Sequence, residues 1–207
     1  MFGIAQLLSI FLHPLFMPVY TLGLALWLDP HLGYFLDLRT RLIVLGMVTL
    51  MTVAFPITSV LLLIRSGLVS GLQMPTRKER IAPFCMTLVY YGMTWFLLAR
   101  TPLHPMMRSL MIGAALALVL TTVVTLRWKI SAHMVGIGGA LGALIALAFI
   151  HQLAFVVPIA GAMLLSGALG TARLLTSDHT PAQVYTGFVL GAGCVAGCVL
   201  APWPLLG

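Results

Sequence analysis

From Leu42 to Ile64 the chain carries no Asp, Glu, Lys or Arg. Several other windows of about 20 residues are nearly as free of charge, the length at which a helix crosses the hydrocarbon core of a bilayer. Charged residues make up 7% of the 207 and hydrophobic residues 61%. A soluble domain would carry roughly a quarter charged residues. In lipid, backbone N–H and C=O groups must pair internally, so a chain crosses as helices or as a closed barrel. The apolar runs here are long and continuous, not ten-residue alternations, which excludes a barrel. The expected fold is all-α, a polytopic transmembrane helical bundle forming one domain over residues 1–207.

About seven spans are expected, with six as the alternative count. They run from about Phe2 to Leu28, Leu42 to Ile64, Ile81 to Ala99 and Met106 to Leu126. Three more follow at Ala132 to Ile150, Leu153 to Leu175 and Ala182 to Trp203. The first lacks a basic start and is too long for a secretory signal, so it is expected to be retained. No linker divides the chain, and no internal repeat stands out. Cys85, Cys194 and Cys198 all lie in apolar runs and read as small buried hydrophobes, neither disulfides nor metal ligands.

The polar residues cluster, and parity places the clusters. Two spans separate Arg77-Lys78-Glu79-Arg80 from Lys129-Ile130-Ser131-Ala132-His133, and two more separate His133 from His179. All three clusters therefore share one membrane face. The other face takes Asp29, His31, Asp37, Arg39, Arg41, Arg100, His104, Arg108 and His151. The formal net charge of +7 sits in short connections, where it serves topology and headgroup contact, not nucleic acid. The site face holds Arg65, Arg77, Lys78, Arg80, Arg127, Lys129 and Arg173 against four basic residues opposite, which by raw count makes it cytoplasmic. Setting aside the five that would hold a ligand leaves Arg65 and Arg127 against four. The expected site then faces away from the cytoplasm, in a cell membrane of the bacterial inner-membrane type.

Basic clusters gathered on one face favour an anion. Guanidinium groups fork onto phosphate oxygens, and lysine adds a point charge. Ser131 offers a hydroxyl. His133 falls at the start of a helix, where unpaired N–H groups favour negative charge. His179 precedes Thr180-Pro181, and proline suits a helix's first turn. Two imidazoles beside a phosphate suggest a nucleophile and a general acid. Gly138 and Gly142 follow His133, and Gly187 and Gly191 follow His179, with Gly193 and Gly197 repeating the spacing. Small residues four apart let backbones approach closely in lipid, so the two histidine-bearing spans are expected to touch.

Over roughly residues 74 to 191 the chain resembles the superfamily of type-2 phosphatidic acid phosphatases and vanadium haloperoxidases. The family's third motif is Ser-Arg, five residues, His, three residues, Asp; here it is Ala172-Arg173, five residues, His179, three residues, Gln183. The second, usually Pro-Ser-Gly-His, is Ile130-Ser131-Ala132-His133. The first, usually Lys, six residues, Arg-Pro, is the looser Arg77-Lys78-Glu79-Arg80-Ile81-Ala82-Pro83, with Gln73 at the lysine's spacing. Two spans inserted between the first and second motifs also depart from the family layout. The resemblance implies a phosphatidic-acid-phosphatase-like core and a phosphatase that uses no metal or other cofactor. It would act on a lipid phosphate or diphosphate of the phosphatidic acid, phosphatidylglycerophosphate or polyprenyl diphosphate type. His179 would attack phosphorus to form a phosphohistidine, and His133 would protonate the leaving oxygen. Arg173, Arg80 and Lys78 would hold the phosphoryl oxygens, with Arg77, Lys129 and Ser131 alongside. Gln183 would replace the aspartate that orients the nucleophile, leaving Asp178 or Glu79 as the available carboxylates.

Plainer accounts exist. Arg173 at a helix end can snorkel to headgroups, the histidines can be satisfied by carbonyls, and Arg77 to Arg80 can be a headgroup-facing loop. His13, before Pro14, fits a kink in which it bonds a freed carbonyl. Trp95, Trp128 and Trp203 fit interfacial anchors. The alternative function is a weak or silent relative that binds or transports phospholipids. A transporter using His13, His133 and His179 is the third reading, although their spacing matches no common metal pattern.

Overall fold

The computed structural model describes residues 2–34, 36–72, 74, 76–101, 103–176 and 179–201. Gln73, Asp178 and Trp203 lie outside the described residues. The first span is a broken rod: α1 (Phe2–Phe11), a short 3-10 turn at Pro14–Phe16, then α2 (Met17–Leu28). Pro14 has no N–H, and its ring clashes with the carbonyl four residues back. The His13 N–H turns to Ile10 O at 3.3 Å, which deprives the Ser9 carbonyl of its helical donor. One further turn, α3 (Pro30–Gly33), follows Asp29.

The second span joins α4 (Leu38–Thr49) to α5 (Phe55–Arg65) through a π turn at Leu50–Ala54. That wider turn absorbs Pro56, which can neither donate nor fit a regular α turn. The remaining spans are α6 (Arg77–Ala99), α7 (Pro105–Thr125), α8 (Ala132–His151), α9 (Val156–Thr176) and α10 (Pro181–Leu200). Among the described residues, seven segments are long and apolar enough to cross a membrane, and no strand is present. Large apolar side chains face outward, among them Val157 at 81% and Leu164 at 76% exposure. A surface of that kind marks a multi-pass membrane protein, since water would not tolerate it.

One boundary and one burial differ from expectation. Arg77 to Arg80 form the first turn of α6, not a loop. Glu79 explains why: its carboxylate accepts from Ser70 N at 3.0 Å, Ser70 Oγ at 2.5 Å and Thr76 Oγ1 at 2.6 Å, folding the preceding segment onto the helix start. A negative side chain also suits a helix N-terminus. Cys85 is exposed, not buried, while Cys194 and Cys198 are half-buried; all three are free thiols.

α8 is the central helix. Of its most apolar window 61% is buried, against at most 39% in any other span, and it packs on α2, α7, α9 and α10. Its contact with α10 is backbone to backbone. A Cβ on Gly191 would stand 1.9 Å from Val135 O, on Gly138 2.2 Å from Phe188 O, and on Gly142 2.4 Å from Ala192 O. Gly193 and Gly197 repeat the spacing but meet nothing within 4 Å, because they lie on another face of α10. Gly191→Ala should therefore push α8 from α10 and destabilise the protein by about 1–3 kcal/mol, whereas Gly193→Ala should be neutral. Thermal unfolding of both variants in detergent checks this, and equal midpoints would remove the close approach as a requirement.

Candidate active site

The starts of α6, α8 and α10 and the end of α9 converge with the break between α1 and α2, as parity requires. They enclose a cavity of about 690 Å³. Its polar end is lined by Arg80, Lys129, His133, Arg173 and His179, together with Ser9 and His13. Its walls continue into the bundle along Leu22, Tyr91, Leu110 and Met111.

The chain positions His179 by capping α10. Thr180 Oγ1 accepts from Gln183 N at 3.4 Å, and Gln183 Oε1 accepts from Thr180 N at 3.0 Å. This reciprocal capping box closes the helix end. The same Oε1 lies 3.2 Å from His179 Nδ1. A backbone N–H can only donate, so the atom Thr180 meets is an oxygen. His179 must then carry its proton on Nδ1, which leaves the Nε2 lone pair free for chemistry. His179 and Gln183 are both buried. Burial lowers the imidazole from 6.5 to about 4, partly opposed by the bond to Gln183 and reinforced by the charges of Arg173, Arg80 and Lys129. His179 is therefore neutral at pH 7.

His133 occupies the first turn of α8, after the N-cap Ser131. Its Nε2 lies 3.1 Å from Ser9 O, the carbonyl that the break in the first span sets free. A carbonyl only accepts, so this Nε2 carries a proton. The kink thus does free a carbonyl, but His133 takes it from across the bundle. His13 instead accepts from Leu15 N at 3.4 Å through Nδ1 and packs edge-on to the His133 ring, 5.1 Å between centroids. Ser9 also meets Arg173, whose Nη1 donates to Ser9 Oγ at 3.3 Å. Ser9 was not singled out from the sequence. The signal available was the His-Pro break itself: Pro14 cannot donate to Ile10 O, and when the His13 N–H turns to that carbonyl instead, Ser9 O is the one left over.

The structure sorts the candidate cations. Arg80, Lys129 and Arg173 line the cavity, and Arg80 is steadied by its Nε bond to Met74 O at 3.1 Å. Arg77 and Lys78 do not line it: Arg77 Nη1 donates to Arg127 O, and Lys78 is exposed. Arg173 bonds within the site, so snorkelling alone does not describe it. Ser131 Oγ is fully buried, lacks a hydrogen-bond partner among the described residues and does not line the cavity. Its N–H instead ties α8 to α10 by donating to Gln183 O at 3.3 Å. Glu79 is engaged by Ser70 and Thr76, so it does not orient His179. Trp95 packs against the core near the end of α6, unlike the interfacial anchor expected.

Comparison of the chain with protein-family models, with curated proteins and with solved structures finds no match.

Acid titration tests the environment of His179. The unfolded chain takes up this proton near pH 6.5, whereas the folded chain takes it up only near 4. Stability should therefore fall as the pH drops through that window. NMR of ring-labelled protein should show His179 neutral at pH 5.5; protonation at the ordinary value would mean that the ring lies in open water.

Proposed function

We propose that this protein is an integral membrane phosphatase acting on a lipid phosphate or diphosphate through a phosphohistidine, with a core like that of the type-2 phosphatidic acid phosphatases. The observation that carries the reading is the cavity: three imidazoles, those of His13, His133 and His179, and three cations at its polar end, continuous with an apolar wall. That combination suits a substrate with a phosphate at one end and hydrocarbon at the other. In this scheme the site faces away from the cytoplasm.

In the proposed first step, His179 Nε2 attacks phosphorus in line with the lipid oxygen. The N–P bond forms as the P–O bond breaks. Arg80, Lys129 and Arg173 take the charge on the non-bridging oxygens, the electrostatic contribution that usually dominates such reactions. In this scheme the negative charge of the bound phosphate favours a second proton on His133, at Nδ1, and this Nδ1 proton, not the Nε2 proton held by Ser9 O, passes to the leaving oxygen. His133 then takes a proton from water, whose oxygen attacks phosphorus and releases phosphate and neutral His179. First-turn N–H groups of α8, which have no intrahelical partner, add to the anion's surroundings.

Phosphate release is measured on phosphatidic acid, phosphatidylglycerophosphate and polyprenyl diphosphate in detergent. His179→Ala should lower turnover at least about a thousandfold, and vanadate should inhibit the unaltered protein. Unchanged turnover in His179→Ala would end this mechanism. Gln183→Glu keeps the side-chain length and supplies a charge to the phosphorylated ring; it should raise the rate by about tenfold.

One observation favours a second reading, in which the protein binds or moves phospholipids without hydrolysis. Among the described residues, the oxygen that holds His179 belongs to an uncharged amide. Lipid binding lost in Arg173→Ala, with no phosphate released from any lipid, would select this reading.

A further inference from the structure

At the other end of α8 a second polar cluster forms, and the phosphate chemistry makes no use of it. Asp29 ends α2, and its carboxylate caps α3 by accepting from His31 N at 2.9 Å. The residue is only 1% exposed. Its Oδ1 lies 3.3 Å from His31 Nδ1, and its Oδ2 lies 2.5 Å from His151 Nδ1. His151 is the last residue of α8. The two imidazoles stack with centroids 4.4 Å apart. A third, His104, stands edge-on to His151 at 6.3 Å, from the residue preceding α7.

Capping a one-turn helix does not call for three imidazoles brought from three chain segments. One carboxylate oxygen and two imidazole nitrogens, all within 4.8 Å of one another, are what a borderline-soft divalent ion takes. We propose that Asp29, His31 and His151 bind a divalent transition-metal ion of the zinc type at the membrane face opposite the phosphate cavity. Ligand atoms 2.0–2.1 Å from a tetrahedral ion stand roughly 3.3 Å apart. Asp29 Oδ1 and His31 Nδ1 already have that separation, Asp29 Oδ2 and His151 Nδ1 lie less than 1 Å inside it, and side-chain rotation brings the three ligand atoms, all within 4.8 Å of one another, onto one ion through a single carboxylate oxygen. On binding, each coordinating Nδ1 gives up its proton, to water or to its own Nε2. The fourth position falls to water, because His104 Nδ1 accepts from Met106 N at 3.3 Å and its Nε2 therefore carries the proton. The His31 side chain is 56% exposed, which gives an ion access from water. Once bound, the ion ties the end of α2 to the end of the central helix. His133 and His151 stand at opposite ends of α8, about 27 Å apart at 1.5 Å per residue, so this ion would not take part in phosphoryl transfer.

The test uses tag-free, chelator-stripped full-length protein in detergent, titrated with Zn²⁺ alone by calorimetry. One ion per chain should bind. Affinity should fall about a hundredfold or more in His151→Gln and in His31→Gln and stay unchanged in His179→Ala. His31 is largely exposed, so its variant folds even if the buried positions do not tolerate change. Co²⁺ should give the visible absorption of a tetrahedral N/O site, lost in His31→Gln, while Ca²⁺, which prefers all-oxygen sites, should not compete. Absence of saturable Zn²⁺ binding would overturn the proposal. So would binding that survives His31→Gln and His151→Gln, or that disappears in His179→Ala and thereby belongs to the phosphate cavity.

Discussion

Everything at the polar end of the bundle depends on how closely α8 and α10 touch. Gly191 lets its helix meet the Val135 carbonyl with no side chain between them, and Gly138 and Gly142 do the same in return. Lipid tails are as apolar as leucine, so burial drives such contacts weakly, and van der Waals fit and backbone proximity must supply the attraction. The consequence is chemical as well as mechanical. With the helices this close, Ser131 N reaches Gln183 O, and the two histidine-bearing helix starts are held in one register. A bulkier seam would push the two imidazoles apart.

The break in the first span contributes the opposite kind of constraint, a polar group that has to be answered. A carbonyl without a donor inside a membrane costs several kcal/mol. Pro14 creates that cost at Ser9, and His133 answers it from another helix. The same serine's hydroxyl receives Arg173. One residue of the first span thus orients a group from α8 and a group from α9. This satisfied carbonyl also fixes which nitrogen of His133 carries its proton before any ligand arrives, much as Gln183 fixes the tautomer of His179.

The sequence made the spans legible because a charge-free run of some twenty residues has few other physical meanings. Parity followed from counting, and it grouped Arg80, Lys129, His133, Arg173 and His179, which line one cavity. The glycine spacing was legible in part: it identified the pairs that touch, but equally marked Gly193 and Gly197, because spacing alone does not say which face of a helix is turned inward. Ser9 was invisible for a different reason. Its importance comes from a hydrogen bond lost to proline and remade 124 positions away in the chain, and no local pattern encodes that. Arg77 and Lys78 failed to reach the cavity because they fall in a helical turn, where neighbouring residues point in different directions. The Asp29 cluster joins residues 2 and 122 positions apart, so no ligand motif announces it.

Gln183 separates two tasks that a carboxylate would combine. A carboxylate beside His179 would fix the tautomer and also favour the imidazolium, which has no lone pair on Nε2. The amide fixes the tautomer alone, because an uncharged oxygen accepts the Nδ1 proton without stabilising a second one to the same degree. Burial first, and then the charges of Arg173, Arg80 and Lys129, keep the ring neutral well below pH 7, and the amide opposes them only in part. The corresponding loss falls later, in the proposed phosphohistidine, whose ring carries positive charge that the amide stabilises less than a carboxylate would. The arrangement thus favours a nucleophile that is always ready over an intermediate that is well stabilised. In the proposed chemistry this places the slow step at formation of the N–P bond, while the less stabilised intermediate hydrolyses readily.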